Sequence, residues 1–308
     1  MSLMELEELI KEASGKNQDT LNLSHRGLTV LPTTVQKLVF LKRLLLNDNK
    51  LLMPPTELVD LENLQVLTLD NNNLTVLPSG LGRLQNLTYL SLSHNKLGFL
   101  PPEIGYLTNL VQLWIVDVGL MSLPSEMGHL QNLQKLGARD NSISIIPDEM
   151  QNMRSLKWLS LARNELAELP RSFGRLPSVT YIDLSHNRFP AIPEILTEIQ
   201  TLASLVIKAN YITALPDDLL LGLSRLTKLD LRDNAMTERP PHWKGLEFIL
   251  LGPSPCEEAV KTTSSDGWDS DDEDDELVLD EDDSEYEEDS VEMRRGQKDT
   301  KKEDDVVR

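Results

Sequence analysis

Residues 87–110 read LTYLSLSHNKLGFLPPEIGYLTNL, and the same spacing of leucines, one asparagine and a Leu-Pro pair returns along most of the chain. Leu41, Leu64, Leu87, Leu110, Leu133, Leu156, Val179 and Leu202 hold one position of successive copies, each 23 residues from the last. The next copy begins one residue late, at Leu226. A fixed period of this length describes one supersecondary unit that cannot bury its apolar face alone and stacks on its neighbours to do so. Such an array offers a long surface more readily than an enclosed pocket.

Within the quoted unit, Leu90 and Leu92 alternate with Tyr89, Ser91 and Ser93. A period of two predicts a short strand with its leucines turned to the core. Asn95 falls at the bend that follows, where its amide can bond the backbone of adjacent turns and form a ladder. Pro101 fixes φ and stops the strand. Ile104 and Leu107 then return to the core from a short helical turn. The expected fold is an α/β right-handed solenoid, a curved horseshoe with parallel strands on the concave face and short helical or 3-10 segments on the convex face.

The ends differ from the middle. Leu3, Leu6, Leu9, Ile10 and Ala13 lie at helical spacing, so residues 1–17 are read as a capping helix over the open end of the stack. Residues 18–255 are read as about ten repeats and a final half repeat, in which Leu246, Ile249 and Leu251 keep the strand spacing. The first unit is degenerate, with Arg26 where asparagine is expected, and the tenth has Arg239 in place of its last leucine. Residues 256–308 form an acidic tail. The net charge of the whole chain is −20, but 23 acidic and 7 basic residues lie from Cys256 onward, so the repeats themselves carry only −4. Seventeen acids in twenty-seven residues from Asp266 to Glu292 cannot bury a core, and the tail is expected to be disordered.

Cys256 is the only cysteine, which excludes an intramolecular disulfide and fits a reducing compartment. The N-terminal MSLMELEELIKEA has neither a basic stretch nor a long apolar run, so it does not read as a signal peptide. No run of about eighteen apolar residues is present to span a membrane. The expected location is cytoplasmic or nuclear. The acidity of the chain disfavours nucleic acid. No nucleophile elbow, phosphate loop or Cys/His cluster occurs, so the chain reads as a non-enzyme with no cofactor. His25, His94 and His186 recur at one repeat position but lie several units apart, too far to share a metal, and are read as repeat-consensus residues.

The candidate partner site is drawn from strand positions that face solvent. At the third position, Lys135, Trp158 and Tyr181 fall in one row, with Tyr89 two steps away. At the fifth, Trp114 is flanked by Ser91 and Gly137, small neighbours that leave room for an indole to lie flat. Arg139 and Arg163 add charge. Aromatic and arginine side chains dominate interface hot spots, so Tyr89, Trp114, Lys135, Arg139, Trp158, Arg163 and Tyr181 are the expected partner-binding set. The competing reading is that the rings simply pack on one another and fill the hollow. Exposed strand positions in the last five repeats sum to +3, counting Asp230 among the acids, against −2 in the first five. The basic half could therefore be shielded by the tail, or the tail could be freely solvated. Thr263, Ser270 and Ser284 each precede an acid by three residues and are candidate phosphosites for acidophilic kinases. The apolar island Leu277, Val278 and Leu279 could add as a strand to a partner's sheet.

The recurrent LPxxLxxLxNL link, as in LPSGLGRLQNL, and the entry KNQDTLNLSHRGLTVLP resemble the Ras-suppressor class of intracellular leucine-rich repeat proteins, which includes the Ras-binding leucine-rich repeat scaffolds. The resemblance covers roughly residues 3–250. It implies a non-enzymatic scaffold for a protein partner such as a small GTPase, a kinase or a phosphatase, and the chain is expected to be a monomer. The tail departs from that class and is similar to that of the acidic leucine-rich nuclear phosphoproteins, which implies basic partners such as histones.

Overall fold

A computed structural model describes residues 2–254 apart from 55 and 237. Residues 256–308, with Cys256, Thr263, Ser270, Ser284 and the island at Leu277, lie outside the described residues.

Each 23-residue unit supplies one three-residue strand. In chain order these are β1 (Thr20–Asn22), β2 (Arg43–Leu45), β3 (Val66–Thr68), β4 (Tyr89–Ser91), β5 (Gln112–Trp114), β6 (Lys135–Gly137), β7 (Trp158–Ser160), β8 (Tyr181–Asp183), β9 (Ser204–Val206) and β10 (Lys228–Asp230), with the two-residue β11 (Ile249–Leu250) from the half repeat. They form one open parallel sheet in strict sequence order, β1 to β11. The register is without slip, residue i pairing with i+23 from β1 to β9 and with i+24 from β9 to β10. The late start at Leu226 is therefore absorbed outside the ladder. The strands are joined by 3-10 turns, most of them entered through the proline of the Leu-Pro pair, as at Pro101, Pro124, Pro147 and Pro170. Only the connection before β10 is an α-helix, α2 (Asp217–Gly222).

The core is a column of leucines. Leu41, Leu64, Leu87, Leu110, Leu133 and Leu156 are fully buried, as are Leu90, Leu92, Ile104 and Leu107 of the quoted unit. The asparagine ladder is present. Asn95 Nδ2 donates to the carbonyls of Leu69 (2.9 Å), Leu92 (2.8 Å) and Ser93 (3.2 Å), and its Oδ1 accepts from the Leu74 N–H (3.0 Å). Asn49, Asn72, Asn141, Asn164, Asn187, Asn210 and Asn234 repeat this pattern. Val118 interrupts it and fills its place with buried hydrocarbon instead. A second run on the opposite side of the units uses Asn63, Asn86, Asn109 and Asn132, each donating to the carbonyl 24 residues earlier.

Both ends are closed. The first helix, α1 (Leu3–Gly15), begins with a capping box, in which Ser2 Oγ accepts from the Glu5 N–H and Glu5 Oε2 accepts from the Ser2 N–H. Leu6, Ile10 and Ala13 are buried against the first repeat, whereas Leu3 stays exposed. At the other end Trp243 is buried, and its Nε1 donates to Asp217 Oδ1 at 3.2 Å. His242 Nε2 shares that carboxyl at 2.9 Å, so α2 and the half repeat are tied together.

Candidate functional site

The sheet register decides which exposed side chains meet. In the third row Tyr89, Gln112, Lys135, Trp158, Tyr181 and Ser204 lie side by side. In the fifth row Ser91, Trp114, Gly137, Ser160 and Asp183 do so. Trp158 and Tyr181 are stacked neighbours, with ring centroids 5.6 Å apart and planes 3° from parallel. Trp114 is two strands from Trp158, yet their rings are 5.4 Å apart at 53°. Strands spaced about 4.8 Å apart place those backbones nearly 10 Å from each other. The indole of Trp114 bridges the gap by lying across β6 at Gly137. A Cβ at that glycine would collide with Cε3 of the indole and come within 2.6 Å of Cζ3. The missing side chain is therefore the condition for a continuous aromatic strip over β5 to β8.

All three rings are half-buried, neither turned inward among the leucines nor fully solvated. The rings pack on one another and still present their outer faces. Lys135 is exposed beside Trp158 in the register. Arg139 and Arg163, at the bends after β6 and β7, flank one carboxylate, with Nε of each 3.7 Å from Asp140. Pairs this long hold little energy, and Nε of Arg139 is itself buried without a hydrogen-bond partner. Tyr89 is half-buried two strands from Lys135 and belongs to the same row at its near end.

Three ionisable groups on this face, Asp183, Asp70 and His186, are shifted from their ordinary values. Asp183 lies beside Ser160 in the fifth row, and burial pushes its carboxyl above the ordinary carboxylate range although Ser185 N–H donates to it at 2.8 Å. Asp70 behaves alike. Burial raises it despite hydrogen bonds from Ser91 Oγ (2.5 Å) and the Ser93 N–H (2.8 Å). His186 is held below its ordinary value by burial and then by the positive charges of Arg163 and Lys208. Alternation reveals which face a side chain takes, but not how deeply its neighbours cover it. Asp230 is the clearest case. Counted as exposed from the sequence, it is 1% exposed, because Val206 and Leu250 flank it in the row and Arg232 closes over it at 2.6 Å. Removing this pair leaves the balance of the basic half unchanged.

The recurring histidines have a backbone explanation. His25, His94 and His186 share their repeat position with Asp48, Asn71, Asp117, Asp140 and Asp233, and all have φ between 53° and 57° except Asp117 at 50°. Asn, Asp and His tolerate this left-handed region better than most residues. Arg163 and Ala209 occupy it too, at 52°. Among the described residues, no group of three or more His, Cys, Asp or Glu is placed to hold a metal ion, and no helix is long and apolar enough to cross a membrane.

The leucine spacing, the single parallel sheet and its exposed aromatic strip define a leucine-rich repeat protein, and the comparisons with known proteins agree. Family models for a leucine-rich repeat region match residues 79–162, and those for a leucine-rich repeat match residues 63–84 and 200–245. A leucine-rich repeat protein of Leptospira interrogans is 30% identical with a TM-score of 0.60, over 78% of this chain and 74% of its own. The chain belongs to the leucine-rich repeat proteins. It is also similar to the ectodomain of the Arabidopsis thaliana membrane receptor kinase GASSHO1/SCHENGEN3, solved in complex with CASPARIAN STRIP INTEGRITY FACTOR 2 (33% identity, TM-score 0.64, 76% of this chain but only 29% of that one). A plant peptide hormone receptor, RGFR1 in complex with RGF2, is 28% identical with a TM-score of 0.57, over 76% of this chain and 44% of that one. No curated protein matches by sequence. Leucine-rich repeat domains generally mediate protein–protein interaction, and the fold is typically a non-enzymatic scaffold.

Proposed function

We propose that this chain is a non-enzymatic adaptor that grips a protein partner on the exposed sheet face over β4 to β8. The observation that carries the reading is the Trp114–Trp158–Tyr181 strip, held half-exposed by a glycine whose side chain would destroy it. Large aromatic rings at the centre of a face, rimmed by Lys135, Arg139 and Arg163, match the composition of interface hot spots. The rings are rigid and pre-packed, so little side-chain entropy is lost on binding. The resemblance to the Ras-suppressor class supports an intracellular signalling partner of the small-GTPase, kinase or phosphatase kind. Tyr89 and the two arginines would extend the contact beyond the strip.

The reading in which the acidic tail is the working part, holding histones or other basic proteins, rests on the −16 charge of residues 256–308. Affinity capture from cell lysate separates the two. Wild type is compared with Trp114→Ala/Trp158→Ala and with a chain ending at residue 255, each checked by circular dichroism. The adaptor reading predicts that the double variant loses the captured protein while the truncated chain keeps it. The opposite pattern establishes the tail instead.

A further inference from the structure

A second surface, on neither the sheet face nor the 3-10 turns, carries an apolar stripe that the aromatic site does not explain. Between the bend asparagine and the Leu-Pro pair, the thirteenth position of successive units is Val30, Met53, Val76, Phe99, Ser122 and Ile145. The twelfth adds Leu52 and Met121. Apart from Ser122, these side chains are 39% to 72% exposed. No charged residue occupies either position in the first six units, and the run stops at Glu168 in the seventh. The flank is ordered, since Ser122 and Ile145 form a parallel bridge and the Ser144 N–H donates to the Met121 carbonyl at 3.4 Å. Seven such side chains offer on the order of 800 Å², one partner's share of a standard interface. That exceeds the largest apolar patch usual on a monomer, about 300–600 Å².

The charges beside the stripe indicate its occupant. Toward the sheet face, at the tenth position, stand exposed Lys50 and Lys96. Toward the 3-10 turns, at the seventeenth, stand Glu57, Glu103, Glu126 and Glu149. Two copies laid flank to flank about a two-fold axis parallel to the stripe bring the lysine side of each onto the glutamate side of the other, unit against the same unit. The antiparallel arrangement would set lysines on lysines and glutamates on glutamates. A two-fold interface must be self-complementary, and this flank is so in one orientation only.

We infer that the flank of the first six units is a homodimer interface, with Phe99 and Met121 near its centre and Lys96 paired with Glu103 of the second copy. This replaces the monomer expected from the sequence and leaves the aromatic strip of both copies open. Sedimentation equilibrium of the full chain between about 1 and 100 μM tests it, with circular dichroism as the check on folding. The chain sediments as a dimer, and Phe99→Glu/Met121→Glu sediments as a folded monomer. Lys96→Glu weakens the dimer at least tenfold, and adding Glu103→Lys to the same chain restores it. A wild-type chain that is monomeric throughout overturns the inference. So does a dimer that survives the Phe99→Glu/Met121→Glu change, or a charge swap that fails to rescue. The Trp114→Ala/Trp158→Ala chain remains dimeric, so failure of the partner-binding reading leaves this result untouched.

Discussion

At the scale of single residues, the stack depends on side chains that serve the backbone. Asn95 supplies the partner for the Leu92 carbonyl and the Leu74 N–H, and adds a second bond to the Leu69 and Ser93 carbonyls, which also accept from Asn72 Nδ2 and the Asn71 N–H. Each buried polar group left unsatisfied costs about 1–3 kcal/mol. Asn95→Ala is expected to destabilise the chain by at least about 2 kcal/mol in urea unfolding, and a loss under about half that would remove the ladder from the account. The ladder was legible in the sequence because one asparagine recurs at one position. The left-handed backbone just before it was not. Its mixture of His, Asp, Asn, Arg and Ala looks random until the dihedral angles show what those positions share. Gly137 was legible only as a small neighbour of Trp114. That the indole crosses a whole strand to reach Trp158 depends on side-chain direction, which spacing does not encode.

At the scale of elements, each strand is only two or three residues long and has no stability of its own, so the units support one another through nearest neighbours. The end units have a neighbour on one side only and rely on their caps. A helical spacing at one end and a half repeat at the other were legible in the sequence. The sequence did not reveal that Trp243, one of four tryptophans, is a buried plug anchored to Asp217 of α2. Truncating a buried tryptophan typically costs about 3–5 kcal/mol. In a linear stack that loss should stay local. Trp243→Ala is expected to abolish hydrogen-exchange protection in β10 and β11 while β4 to β6 keep theirs. Uniform loss along the sheet would show instead that the array unfolds as one cooperative block.

At the scale of the whole molecule, the repeats are close to electroneutral, and their pH response falls to a few buried carboxyls. Asp70 and Asp183 are raised in the folded chain by burial. Folding therefore favours their protonated forms. Their contribution to stability is complete below the ordinary carboxylate range and is lost as pH rises through their higher folded values. The thermal midpoint of the wild type should accordingly fall between mildly acid and neutral pH by more than that of Asp70→Asn/Asp183→Asn. Parallel declines would show that these two groups titrate normally. The period and the alternation announced the fold. They also named the row of candidate binding residues. They said nothing of depth, which is why Asp230 was miscounted as exposed.

The claim on which the functional account turns is that the strip formed by Trp114, Trp158 and Tyr181 is a binding surface and not a packing device. The dissociation constant of the captured partner, purified and titrated against folded wild type and Trp114→Ala/Trp158→Ala, tests it directly. Loss of a hot spot worth about 2 kcal/mol or more weakens binding roughly thirtyfold or further, and that is the result expected. Equal affinity for the two chains would contradict it.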